Sequence, residues 1–346
     1  MRSRSSSARC FAAFVAPLLA AFVGAGGAGA QQQIKTITLD LKTISAAEAN
    51  SLALKIPPST AIVVSGMPRV ARDALLQKLS VVPGNMQPPP GPSAHEGKIF
   101  GGQAAQAGQY PWQVGLIFRI YNDASRVLFC GGTLVAPDKV VTAAHCFKDS
   151  EGETKAHEVD VLAGTNNYAD PAQGERIQVR SVVLHPQYDI TTFRHDVAVV
   201  TLSRSSTKGQ AISLYGANNA VYPVAVGSAL YISGWGTTTN NGAQPQELQW
   251  AMVPTADPAT CNAAQAYAGA VTSDMICAGY PGGKIDACKG DSGGPAVYRG
   301  TNLAPIAPVL YGVVSWGARG KCAEANKLGV YAGVPPHLAW LAGAIK

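Results

Sequence analysis

Charge is scarce in this chain. Only 14% of its 346 residues are Asp, Glu, Lys or Arg, while 47% are hydrophobic. That balance excludes a disordered polyelectrolyte. A basic excess is missing from most of the length. Residues 1–98 hold 10 Lys and Arg against 4 Asp and Glu, whereas residues 99–346 hold 17 of each. The formal charge of +6 therefore belongs to the first part, and no nucleic-acid partner is expected. Aromatics are few, at 7%, beside 37 Gly and 23 Pro, which suits a turn-rich β architecture better than a helical bundle. Long apolar runs are lacking too: residues 11–23 supply only 13, short of the roughly 17–25 that a membrane span needs. No two cysteines have the C-x-x-C spacing of a zinc ribbon, so no metal is expected from them.

What is present begins with an export signal. Arg2, Arg4 and Arg9 precede the apolar stretch 11–23, and Ala28-Gly29-Ala30 offers small residues for cleavage, so residues 1–30 read as a secretory signal peptide. The mature chain is expected outside the cell or in a periplasm, with no membrane contact once the signal is removed. Cys10 leaves with it. The other six cysteines, Cys130, Cys146, Cys261, Cys277, Cys288 and Cys322, all follow residue 99. An even number in an exported chain implies disulfides, with fifteen pairings open.

Residues 31–82 have an order of their own. Ile37, Leu39 and Leu41 alternate with polar neighbours as in a strand. Ser45 and Glu48 form a capping box for a helix that Pro57-Pro58 closes. Residues 61–64 read as a second strand, and Pro68 opens a second helix with Val70, Ala74, Leu75 and Leu79 on one face. This βαβα pattern permits a parallel strand pair. Residues 83–98, with three consecutive prolines, form an exposed linker. Beyond it come many short β-like runs, such as 112–118, 197–202 and 309–315, and one helical pattern at 335–345. Regular short strands with turn signals indicate a sandwich or barrel.

Three segments carry chemistry. Gly290-Asp291-Ser292-Gly293-Gly294-Pro295 exposes a serine on a sharply bent backbone whose N–H groups can face a carbonyl oxygen. A serine alone is a weak nucleophile and needs a base. Thr142-Ala143-Ala144-His145-Cys146 offers an imidazole beside a cysteine. Asp196 opens an apolar strand, where a buried carboxylate could orient that imidazole.

In the order His, Asp, Ser, residues 99–346 resemble the secreted serine proteases of the trypsin/chymotrypsin family. Ile99-Phe100-Gly101-Gly102, Tyr110-Pro111-Trp112-Gln113-Val114, Cys130-Gly131-Gly132-Thr133-Leu134, Ser233-Gly234-Trp235-Gly236, Ser315-Trp316-Gly317 and Gly329-Val330-Tyr331 all support it. The resemblance implies an all-β fold of two six-stranded antiparallel barrels with a C-terminal helix. It implies catalysis by Ser292, His145 and Asp196, with the oxyanion hole formed by Gly290 and Ser292 and with Ser315 placed against Asp196. It also selects the pairs Cys130–Cys146, Cys261–Cys277 and Cys288–Cys322.

The same resemblance places Asp286 at the floor of the substrate pocket, with Trp316, Gly317 and Gly329 along its walls. An open slot ending in a carboxylate selects Arg or Lys before the cut. Ala287 stands where trypsin has a serine, and Lys289 at the mouth where trypsin has a neutral glutamine. Lys98-Ile99 resembles an activation site, after whose cleavage the Ile99 amine would pair with Asp291. Expected partners are protein or peptide substrates and proteinaceous inhibitors; the chain is expected to be monomeric and to need no cofactor. Thr165 occupies a place where the trypsin calcium loop has a glutamate, so no calcium site is expected. Leu328 replaces a proline. Among the remaining histidines, His95 lies in the linker, His157, His185 and His337 lie outside every motif, and His195 is read as touching solvent or scaffold. The competing readings are an idle protease fold that docks through residues 31–82, and a serine esterase, which needs the order Ser, Asp, His.

Overall fold

The computed structural model describes residues 35–40, 60–65, 99–119, 128–150, 152–170, 172–217, 224–240, 242–300, 305–318 and 321–346. The signal, the helices expected within 31–82, the linker and Lys98 lie outside the described residues.

Of the N-terminal module, β1 (Lys35–Asp40) and β2 (Thr60–Ser65) are described, and they pair in parallel with Ile37 opposite Ile62. Nineteen residues separate the two strands, enough for the crossover that a parallel pair requires.

The first barrel contains β4 (Gln113–Phe118), β5 (Leu128–Ala136), β6 (Lys139–Thr142), β7 (Val159–Ala163), β8 (Glu175–Leu184) and β9 (Ala198–Leu202). It closes in the order β4-β5-β6-β9-β8-β7. All six residues of β4 are buried, and β9 is nearly so. These strands read as continuous apolar runs because barrel interior and neighbouring structure cover both faces.

The second barrel uses β11 (Ala229–Gly234), β12 (Gln249–Pro254), β13 (Met275–Ala278), β14 (Pro295–Gly300), β15 (Pro305–Trp316) and β16 (Gly329–Gly333). They run β13-β16-β15-β14-β11-β12, and a bridge between Thr255 and Ala278 joins the two ends. Two strands of two residues each add to the six that were expected: β3 (Gln103–Ala104) extends the sheet beside β12, and β10 (Ser213–Leu214) pairs in parallel with β15. Two residues are too few for periodicity to reveal. Gly333 caps α2 (Val334–Ala344), which has a proline in its first turn, one residue earlier than the pattern suggested; α1 (Pro258–Cys261) is a single turn capped by the Asp257 side chain. Among the described residues no helix is long and apolar enough to cross a membrane.

The three disulfides are Cys130–Cys146, Cys261–Cys277 and Cys288–Cys322. Each bond contributes about 3–4 kcal/mol in the chain-entropy account. Leu328, whose role the sequence left open, is 3% exposed and packs with Cys261, Val271, Met275, Cys277 and Val330 in a small second core.

Candidate active site

The functional side chains sit at strand ends where the two barrels meet. β6 ends at Thr142, and a 3₁₀ turn at Ala144–Cys146 then holds His145, 3% exposed. Asp196 lies two residues before β9 and is fully buried. The backbone N–H of His145 donates to Asp196 Oδ1 at 2.9 Å, and ring Nδ1 meets Oδ2 at 2.7 Å. From the end of β15, the Ser315 hydroxyl donates to the same Oδ2 at 2.5 Å. A buried carboxylate needs such donors. Because Oδ2 only accepts when ionised, Nδ1 carries a proton and Nε2 keeps its lone pair.

Ser292 is half-buried, on the loop that leads into β14. Its carbonyl accepts the Gly131 N–H of β5 at 2.7 Å. Gly293 has φ +79°, and a Cβ there would lie 2.1 Å from Thr142 Oγ1 and 3.1 Å from Ala143 N. Only glycine allows the serine loop to approach so closely the segment that leads to His145. The Lys289 carbonyl accepts Thr237 N–H at 2.8 Å, and the Asp291 carbonyl accepts Gly294 N–H at 2.9 Å. Across a trans peptide, C=O and the next N–H point oppositely. The Gly290 and Ser292 N–H groups are therefore turned away from Thr237 and Gly294.

Ser292 shares the lining of a cavity of about 180 Å³ with Asp286, Ala287, Lys289, Ser315, Trp316, Gly317 and Gly329. The expected pocket residues are thus together. Asp286 is 5% exposed. Burial pushes its carboxyl up to about 7, against the pull of the Ala323 and Ala287 N–H groups. A Cβ on Gly329 would lie 2.8 Å from Asp286 Oδ1 and 3.0 Å from the Tyr331 hydroxyl, so any side chain there would crowd the carboxylate. The Tyr331 hydroxyl is buried without a hydrogen-bond partner among the described residues.

Behind the serine, Asp291 is 1% exposed and accepts N–H groups from Gly236 at 2.7 Å and Cys288 at 2.8 Å. Burial raises it to about 6. Among the described residues no cation pairs with it. Ile99 is fully buried, and Phe100 bridges to Asp286, so the segment after Lys98 is tucked against the pocket.

Residues 99–341 match the sequence profile of the Trypsin family. Serine protease 1 of Homo sapiens is 36% identical over 256 residues, 73% of this chain and 92% of that protein. Trypsin of Sus scrofa is 33% identical over 252 residues, 72% of this chain and 96% of that protein. The chain belongs to the trypsin family. As a member it is a serine peptidase, a hydrolase acting on proteins or peptides. A third relative, Transmembrane protease serine 11C of Mus musculus, is 35% identical over 248 residues, and the match covers 54% of that protein.

Sequence reasoning missed several residues of this peptidase. Lys321 lines the pocket outside every quoted motif, and Tyr331, quoted only as the end of the Gly329-Val330-Tyr331 motif, was given no role there. The ammonium of Lys208 donates to the carbonyls of Ala172 and Gly174, each at 3.0 Å, placing a cationic group against the backbone that precedes β8. Most unexpected is a cluster. His185, His195 and His337 converge beside the segment that carries Asp196, with His195 Nδ1 3.1 Å from His337 Nε2. Burial pushes His185 down to about 4, helped by the two neighbouring imidazoles.

Proposed function

We propose that this peptidase is exported as a zymogen, activated by cleavage after Lys98, and cuts its substrates after Arg and, less readily, Lys. The observation that carries the reading is Asp286, a buried carboxylate in the cavity that also reaches Ser292. A guanidinium entering that cavity relieves an otherwise uncompensated charge and gives the Tyr331 hydroxyl a donor to accept.

In the reaction, Ser292 Oγ attacks the scissile carbonyl carbon while His145 Nε2 takes the hydroxyl proton. The developing oxyanion is held by the N–H groups of Gly290 and Ser292, worth about 3–4 kcal/mol per donor. His145 then protonates the leaving amine, the C–N bond breaks, and an acyl-enzyme on Ser292 remains. Water, deprotonated by the same imidazole, releases the acid. Asp196, braced by Ser315, fixes the ring and stabilises its cationic form. A serine-directed phosphonate probe tests this: labelling should follow activation and vanish in Ser292→Ala. Labelling that survives the substitution would show that another residue is the nucleophile.

Ala287 lines the pocket without a hydroxyl. A lysine ammonium there lacks one donor-acceptor partner, whereas an arginine fork spans Asp286 by itself. Arg is expected to be preferred over Lys by about 1–2 kcal/mol, the scale of one hydrogen bond to a charge. Matched peptides compared in the parent and in Ala287→Ser should show the ratio narrowing in the variant; equal turnover in the parent would refute the preference. Lys289 and Lys321, both exposed at the rim, favour acidic residues near the cut. This preference should weaken as salt rises.

Cleavage after Lys98 supplies Asp291 with a positive partner, the Ile99 α-amine. Losing one member of such a buried pair costs about 3–5 kcal/mol, so an intact Lys98→Gln chain is expected to be roughly 10²–10⁴-fold less active than the cleaved enzyme. The amine's ordinary pKa is about 8, and pairing raises it. The stabilisation is therefore fully present below that value and is lost as pH climbs through the raised one. Activity of the cleaved enzyme should fall at high pH with the His145–Asp196 pair intact, and full activity of the Lys98→Gln chain would refute the switch. Because an Arg-preferring enzyme is slow after lysine, a second protease performs the activating cut.

A further inference from the structure

We propose that His185, His195 and His337 form a binding site for a divalent transition-metal ion of the zinc class, and that an ion bound there lowers peptidase activity by displacing the backbone that carries Asp196. The second half rests on the role given to Asp196 above; the metal binding does not.

The ring nitrogens that the three histidines can offer lie within 4.8 Å of one another. Three imidazoles with an open fourth position are a known zinc donor set. His337, on α2, is the most organised. Its Nδ1 meets the Gly333 carbonyl at 2.6 Å. A carbonyl only accepts, so Nδ1 carries the proton and the Nε2 lone pair is left for a ligand. A carbonyl behind a histidine is the usual support of a metal-bound imidazole. That Nε2 faces His195 Nδ1 at 3.1 Å across nearly perpendicular rings. Two nitrogens on a tetrahedral zinc, each about 2.0–2.1 Å from the ion, stand about 3.3 Å apart. The pair must open by only a few tenths of an ångström, with the His195 proton moving to its other nitrogen.

His185 has further to move. It stacks on His195 with centroids 4.7 Å apart and planes 12° from parallel, and parallel rings cannot both point at one ion. Coordination therefore requires His185 to turn. The turn exchanges a long bond from Gln187 N–H, 3.2 Å, for a metal bond. Space for it exists: a cavity of about 470 Å³ lined by His185, Tyr188 and Asp189 borders the ring and opens a path from solvent. Negative charge is also at hand. Asp274, 5% exposed, accepts the His195 N–H at 2.8 Å and the Thr272 hydroxyl at 2.5 Å.

The coupling to activity is a matter of backbone. His195 directly precedes Asp196 and sits at φ +54°, a left-handed conformation that non-glycine residues hold only under constraint. Its carbonyl accepts Val197 N–H at 2.8 Å, and Val197's own carbonyl accepts His185 N–H at 3.0 Å. Two of the three donors are thus bonded to the residues flanking Asp196. Drawing their rings onto an ion pulls on the segment that aims the carboxylate at His145.

The test uses the cleaved, active enzyme. Titration with ZnCl₂ by calorimetry should show one site per chain, and Co²⁺ in its place should give visible d–d absorption of a tetrahedral ion. Zinc should lower kcat with KM little changed, reversibly on adding EDTA. In His337→Gln and His185→Gln, with thermal unfolding used to confirm folding, affinity should weaken at least about tenfold and inhibition should shift with it. Should His337→Gln fail to fold, His185→Gln, whose ring gives up one hydrogen bond, from Gln187, and its stacking on His195 and Trp340, decides alone. Absence of a site would overturn the metal site, and so would parent-like affinity in both variants, which would leave His145 as the inhibited ligand. Binding that depends on these histidines while kcat stays constant would overturn the coupling. Calorimetry reads the metal even if the protease reading fails.

Discussion

Substituting Asp196 by Asn is expected to lower kcat about 10⁴-fold with KM nearly constant, a magnitude carried over from the family's triad. The hydrogen-bond inventory explains why so small a change should matter so much. Asp196 is fully buried and accepts three donors: the His145 N–H, the His145 ring Nδ1–H and the Ser315 hydroxyl. An amide has one acceptor oxygen and an NH₂ that can only donate. Whichever way it is turned, one of these donors faces another donor. The cheapest relief is for His145 to adopt the other tautomer, so that Nδ1 accepts from the amide. The proton then sits on Nε2, the atom that must take a proton from Ser292, and the serine stays un-ionised. The fold should survive, because no volume is lost. Steady-state kinetics beside thermal unfolding separates the two effects: a kcat loss under 100-fold, or a loss fully explained by unfolding, would refute the tautomer argument. Ser315→Ala removes one donor and leaves the tautomer intact, so its effect should be far smaller.

How far this site was legible depended on whether its residues lie in short, chemically constrained segments. His145, Asp196 and Ser292 could be found because each chemical role demands particular neighbours. Glycines surround Ser292, and the loop packs so tightly against Thr142 that a Cβ on Gly293 would collide with it. A stapled cysteine follows His145, and an apolar strand follows Asp196. The barrels were legible for a similar reason, since buried strands such as β4 and β9 read as apolar runs between turns. The histidine cluster was not. His195 and His337 are 142 positions apart, one on a loop and one on a helix, and neither local pattern requires an imidazole. Only the folding of α2 back across the start of β9 brings them together. Lys321 and the pocket role of Tyr331 escaped as well: no local pattern requires a cation between β15 and β16, or a hydroxyl two residues after Gly329.

Asp286→Asn is expected to abolish cleavage after Arg by roughly 10²–10⁴-fold in kcat/KM, the cost of about 3–5 kcal/mol for stranding one charge of a buried pair. A neutral pocket floor still leaves Ser292 reactive, so the serine-directed probe should label the variant at nearly the parent rate. Loss of labelling would mean that the pocket had collapsed. The carboxylate also makes binding depend on pH. Burial holds Asp286 near 7, far above the value of about 4 in an unfolded chain. An acid whose folded pKa is raised costs the fold nothing below the unfolded value. The penalty grows as pH rises from about 4 to about 7 and stays constant above. A cation in the pocket reverses that penalty, because it binds the ionised form. Below pH 7 each bound guanidinium must therefore expel one proton, and affinity for a small amidinium ligand should fall about tenfold per pH unit between 7 and 5, then level off above 7. Calorimetry in buffers of different ionisation enthalpy would count that proton directly. An affinity constant across this range, with no proton released, would mean that Asp286 is ionised before the ligand arrives, and would refute the raised carboxyl while leaving its charge as what selects arginine.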